Sequence, residues 1–245
     1  MNFTLDAYAE LLNLIRNNDY DIRDYHNYED SNKFVILRHD VDFDLRKAAK
    51  FAQIEKELNV KSVYFVLVSS DFYNVLSPYN IKCVEDIIAC GHEVGLHFDE
   101  AKYVDKDIRR IENEIYREAD FLGNVIGKKV RTISMHRPSQ QILEADLKLN
   151  GMVNTYGSVF FKEFKYLSDA RMNWRVSPEP VIVCGDYNKI QLLTHPFWYT
   201  KHDRTMTEKL KSFVLRASRE RYIELGANIR NIEDALPREE LKNVL

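Results

Sequence analysis

The sequence predicts an α/β protein on a mainly parallel sheet, either an incomplete (β/α) barrel or a doubly wound sheet. Three observations predict it. Apolar stretches of strand length alternate repeatedly with amphipathic stretches of helix length. At 245 residues the chain can bury one large core of the size that single α/β barrels reach, and no linker composition divides it. His and Asp recur where the apolar stretches end, the edge at which parallel sheets gather their sites.

Leu5, Tyr8, Leu11, Leu12 and Ile15 are spaced three and four apart behind Thr4, which predicts a capped helix to about residue 16. KFVILR is β-branched and continuously apolar, the pattern of a buried strand. Leu45, Ala48, Ala49, Phe51, Ala52, Ile54 and Leu58 return to helical spacing. SVYFVLVSS predicts the second strand, VEDIIACG a short helix stopped at Gly91, and EVGLHF the third strand. Ile108, Ile111, Ile115, Ala119, Leu122 and Ile126 predict a long helix starting near Asp105. RTISMH is the fourth strand, followed by a helix over about 140–149. Beyond Gly151, MVNTYGSVFF, PVIVCG and IQLLTH read as strands, and a helix over about 207–225 precedes a polar end. No internal repeat or low-complexity tract is present.

Apolar residues make up 45% and charged residues 30%, ordinary for a globular chain. A net charge of −3 offers no basic field for nucleic acid. No apolar run approaches the ~18 residues of a membrane span, and the first residues lack the basic-then-apolar form of a secretory signal. A cytoplasmic location is therefore expected. Cys83, Cys90 and Cys184 are odd in number within apolar surroundings, which predicts reduced, structural core thiols.

VILRHDVD, EVGLHFD, TISMHRP and QLLTHP each place a His at the carboxyl end of a predicted strand. His39, His97, His136 and His195 are thus expected at one rim. Burying imidazoles and carboxylates together costs several kcal/mol per ion unless a cation or tight pairing compensates. Both groups are suitable ligands for zinc and similar divalent ions. Asp40 and Asp42 lie two apart, so an extended segment points both to one side and His39 and Val41 to the other. One carboxylate can then bind metal while the other handles a proton. Asp44 reads as the N-cap of the next helix. His97 and Asp99 share the two-residue spacing, whereas His92 belongs to the opposite end of its strand.

These segments resemble the polysaccharide deacetylase family, the NodB-homology domain of carbohydrate esterase family 4. RHDVD resembles the first motif, which implies Asp40 as catalytic base and Asp42 as metal ligand. GHEVGLH resembles the second motif and implies His97 as a ligand. HRP resembles the Arg and Pro motif, implying that Arg137 holds Asp40. LLTH resembles the last motif and implies His195 as catalytic acid. SDARMNW is a weaker likeness that implies Asp169 as the residue orienting His195 and Trp174 as a pocket aromatic. The motifs run in family order from Val35 to His195, and the best likeness is to the WbmS-like branch, associated with bacterial surface polysaccharide genes.

The resemblance implies a distorted or incomplete (β/α) barrel of about seven parallel strands. It would form a single catalytic domain over 1–245, with a helix and lead-in over 1–30 and a helical segment over 205–245. One departure matters: the family's second metal-binding His corresponds to Ala101 here. The third ligand must then come from elsewhere, with Asp99 or His136 the nearest candidate by strand geometry; otherwise the site binds metal weakly or not at all. Val41 is an insertion between the two Asp residues of the first motif.

The expected activity is metal-dependent removal of an N-acetyl or O-acetyl group from a sugar or polysaccharide precursor. Zinc is the expected cofactor, with cobalt, nickel or manganese as alternatives. His39, Trp174 and Trp198 are the expected substrate contacts. Two rival readings are a glycosyltransferase using Asp40-Val-Asp42 to hold a metal and nucleotide diphosphate, and a carbohydrate-binding protein on a retired deacetylase fold.

Overall fold

A computed structural model describes residues 1–103 and 107–241. The trace divides into two compact units, Met1–Lys201 and His202–Leu245. In the first unit the elements run α1 (Leu5–Asn17), β1 (Asp21–Arg23), β2 (Phe34–Val41), α2 (Leu45–Glu57), β3 (Val63–Leu67), α3 (Pro78–Ala89) and β4 (Glu93–Phe98). They continue as α4 (Ile108–Ile126), β5 (Thr132–Met135), α5 (Gln140–Ala145), β6 (Val153–Asn154), α6 (Ser158–Lys162), β7 (Lys165–Ser168), α7 (Pro178–Cys184) and β8 (Lys189–Thr194). In the second unit, α8 (Met206–Asn228) opens on a reciprocal cap between Thr205 and Glu208 and is followed by α9 (Ile232–Ala235). Among the described residues, no helix is long and apolar enough to cross a membrane.

The eight strands form one sheet in the order β6-β5-β4-β3-β2-β8-β7, with β1 beside β2. Every pairing is parallel. The sheet curls without joining β6 to β7, so of the two predicted architectures the incomplete barrel is the one observed.

β2 is central, and all eight of its residues are buried. Alternation divides them between two faces. Phe34 and Ile36 enter a cluster with Tyr25, Val63, Phe65, Phe160 and Phe164 on the concave side. His39, of the opposite parity, meets Tyr8 of α1 and Phe51 of α2. Next to this core only glycine fits at position 95, since a Cβ there would lie 2.6 Å from the Phe65 ring and 2.7 Å from the Thr132 carbonyl oxygen.

The expected caps are present: Thr4 accepts from the Ala7 amide at 3.1 Å and Asp44 from the Arg46 amide at 3.0 Å. The predicted start of the long helix near Asp105 lies outside the described residues. PVIVCG is a helix, not a strand: Pro178 starts α7, Gly185 ends it in the left-handed region, and Pro178 and Ile182 bury one helical face. MVNTYGSVFF contributes only the short β6, after which Gly157 begins α6. The helix predicted to about residue 149 ends at Ala145, because Asp146 turns left-handed and accepts from the Ser158 amide and hydroxyl at 2.7 and 2.8 Å. The short strands β1 and β7 escaped prediction because their mixed residues carry no apolar run. Of the thiols expected in the core, Cys83 is buried, Cys90 half-buried and Cys184 exposed.

Candidate metal centre

The carboxyl ends of five strands supply the site. Asp42 follows the last residue of β2, His97 sits next to the end of β4, and His136, Asp169 and His195 follow β5, β7 and β8. Parallel pairing brings these ends together although they are up to about 150 residues apart in sequence.

Asp42, His97 and His136 each offer one ligand atom, all within 4.8 Å of one another. His97 Nε2 lies 3.2 Å from Asp42 Oδ1 and 3.1 Å from His136 Nδ1, and His136 Nδ1 lies 3.3 Å from Asp42 Oδ1. A tetrahedral ion with bonds of about 2.0 Å separates its ligand atoms by about 3.3 Å, so this triangle fits a divalent cation. His97 Nδ1 donates to the Ser134 carbonyl at 3.3 Å, which leaves the Nε2 lone pair directed at the other two groups. The donor set, two imidazoles and a carboxylate, suits zinc and its first-row neighbours.

Asp40 stands beside this triangle, with Oδ2 3.7 Å from His97 Nε2. Arg38, fully buried, places Nη2 at 2.9 and 2.8 Å from the two Asp40 oxygens. The guanidinium is itself held by the Thr155 hydroxyl at 2.9 Å and by the Ser134 hydroxyl. Burial opposes ionisation of Asp40, but the Arg38 charge, with the neighbouring His195, outweighs it and holds the carboxyl below its ordinary range. Asp42 is also held low: burial is overcome by its bonds to His136 and His97 and by the His195 charge.

His195 completes the group, with Nε2 3.7 Å from Asp42 Oδ2. Its Nδ1 bonds Asp169 Oδ1 at 2.6 Å, and its backbone amide donates to the same oxygen at 3.0 Å. Burial alone would lower the His195 pKa, yet the Asp169 charge and hydrogen bond push it up to about 9. His136 is likewise raised, its bond to Asp42 outweighing burial.

Several expected placements need correction. Arg137 does not hold Asp40: its side chain is 58% exposed and pairs with Asp99. Arg38 occupies that place, a residue whose two-residue offset from Asp40 puts both on one strand face. Asp99 is not in the ligand triangle, since it pairs with Arg137 and caps the Ala101 amide at 3.2 Å. Between the two candidates for third ligand, His136 is the one aimed at Asp42 and His97. His39 does not contact the site: it is fully buried on the helix-covered face, bonded to Thr194 and Glu55. Trp198 is also core, 6% exposed against Phe43 and Phe197. Trp174 is half-buried, with its indole nitrogen screened from solvent. Glu55 was missed, although a charge on the stripe formed by Ala48, Phe51 and Ala52 was a legible signal.

No family model matches the sequence, and no curated protein matches it. Among solved structures, the chain is similar to proteins of carbohydrate esterase family 4, the family its motifs resemble. One is a family pseudoenzyme from Bacillus anthracis, at 14% identity and a TM-score of 0.47, with 78% of this chain and 62% of that one covered. The chain therefore spans less than two thirds of that protein's length. Another is an acetyl xylan esterase from Clostridium thermocellum in complex with a cobalt ion, at 14% identity and a TM-score of 0.45, covering 76% of this chain and 84% of that one. A polysaccharide deacetylase from Bacillus cereus follows at 18% identity and a TM-score of 0.44, covering 67% and 79%.

Proposed function

We propose that this chain is a metal-dependent carbohydrate deacetylase of the WbmS-like branch. It removes an N-acetyl or O-acetyl group from a sugar precursor of surface polysaccharide, in the cytoplasm, with zinc as its metal. The observation that carries this reading is the triangle of Asp42, His97 and His136 flanked by Asp40 and His195. When bound there, a divalent ion supplies Lewis acidity, lowering the pKa of water and polarising the acetyl carbonyl.

The chain's own residues supply the rest. Asp42, His97 and His136 hold the ion. Asp40, ionised beside Arg38, accepts a proton from the attacking water. His195, protonated and oriented by Asp169, returns a proton to the leaving amine or alcohol. Trp174 is the aromatic that this reading retains for the sugar, since Trp198 is core. A glycosyltransferase would use Asp40 and Asp42 but leave the His97, His136 and His195 cluster without work. Ala101 favours a retired fold, but the nitrogen that His136 offers within 4.8 Å of the Asp42 and His97 ligand atoms supports the catalytic reading.

The test combines elemental analysis with acetate release from acetylated amino sugars. One metal per chain and acetate release are expected, and Asp40→Asn should keep the metal while losing turnover. A protein that takes up no divalent ion on titration would end the proposal.

A further inference from the structure

The face of β2 turned away from the metal centre carries a second polar cluster. Glu55, fully buried, accepts hydrogen bonds from Tyr8 Oη at 2.6 Å, His39 Nε2 at 2.9 Å, Ser62 Oγ at 2.6 Å and Tyr64 Oη at 2.6 Å. His92 lies beside the cluster: its Nδ1, 3.6 Å from Glu55, accepts from the Ser62 backbone amide at 3.3 Å, while its Nε2 donates to the Ala52 carbonyl at 3.0 Å. Burial opposes ionisation of Glu55, but His39, His92 and Ser62 prevail and hold its pKa at about 2. A buried carboxylate carries a desolvation cost of several kcal/mol. The reaction proposed above makes no use of this one.

What Glu55 does hold is the His39 ring. With Nε2 on Glu55, His39 presents Nδ1 to the Thr194 hydroxyl at 2.7 Å. His39 and Thr194 are register partners across β2 and β8, and theirs is the last pair in that ladder. Immediately beyond it the two strands deliver Asp40 and Asp42 on one side and His195 on the other, with His195 Nε2 3.7 Å from Asp42 Oδ2. A side-chain bond at the final rung resists the splaying that would widen this gap. A misplacement of about 1 Å can cost about 100-fold in rate.

We propose that His39, oriented by Glu55, is a positioning residue that clamps the last rung of the β2–β8 ladder through Thr194 and so sets the separation of Asp40 and Asp42 from His195. The inference rests on the hydrolytic reading above, and its test has an arm independent of turnover.

In the full-length, cobalt-loaded protein, Thr194→Val keeps the side-chain shape but removes the hydroxyl. It should lower kcat at least about tenfold with KM within about twofold, and Thr194→Ser should restore it. If Thr194→Val does not fold, Thr194→Ala replaces it with the same expected split. His39→Gln should shift the visible spectrum of bound cobalt, because it releases the strand that carries Asp42. Unchanged kcat in the Thr194 variant, or an unchanged cobalt spectrum in His39→Gln, with thermal stability alone reduced, would overturn the clamp. If the unaltered protein releases no acetate from any acetylated amino sugar, the hydrolytic reading fails, and the cobalt spectrum still decides the clamp.

Discussion

Replacing Arg38 by Met tests which cation serves Asp40. Arg38 is fully buried and bonds both Asp40 oxygens, Thr155 and Ser134. Met keeps much of the volume but leaves a buried carboxylate without its partner, a change that typically costs about 3–5 kcal/mol. The pH dependence follows from the sign of the shift. With Arg38 present the folded Asp40 pKa lies below its unfolded value, so this contribution to stability is present above that value and fades as pH falls through the folded pKa. Without Arg38, burial drives the Asp40 pKa upward, so the variant is penalised at neutral pH and recovers as acid protonates the carboxyl. Urea unfolding at neutral and acid pH measures the first effect, and the acid limb of the rate profile, displaced to higher pH, measures the second. Arg137→Met is the comparison: its pair with Asp99 is 58% exposed on the Arg side and should contribute no more than about 1 kcal/mol. If Arg137→Met proved the more damaging to stability and turnover, with Arg38→Met near normal, the assignment of Arg38 to Asp40 would be wrong.

His136→Ala should weaken zinc or cobalt binding by at least about 10-fold, whereas Asp99→Asn should leave stoichiometry at one ion; titration with a competing chelator checks both. Equal losses in the two variants would return Asp99 to the ligand set. His195 predicts a pH-dependent stability in the metal-free protein. Its pKa is raised to about 9, chiefly by Asp169 with Asp42 and Asp40 adding to it, so the stabilisation is complete below the unfolded value of about 6.5 and is lost as pH rises through 9. Relative to Asp169→Asn, the unaltered protein should hold an advantage near pH 6 that shrinks towards pH 9.5, measured by chemical unfolding across that range. A gap that does not change with pH would show that the pair does not act through proton binding.

Much of this architecture is legible because it is encoded locally. Strand and helix periods announce β2, α2, β3, β4, α4, β5 and β8, and the His residues fall in or directly after the last residues of β2, β4, β5 and β8. The two-residue period also places Asp40 and Asp42 together and sends His39 to the opposite face, which makes its assignment to substrate contact avoidable from the sequence. PVIVCG shows the limit of local reading: a short apolar run has no period of its own until Pro178 and Gly185 are weighed as helix signals.

By itself, therefore, the sequence determined the strand–helix alternation, the edge at which the ionisable residues collect, and the placing of Asp42 and His97 side by side at that edge. Only the tertiary structure decided that His136 rather than Asp99 completes the triangle, that Arg38 rather than Arg137 serves Asp40, and that His39 works behind the sheet. The reason is physical. Periodicity settles which face a side chain occupies, but the pairing of charges depends on strand register and sheet curl, which are set by contacts between segments remote in the chain.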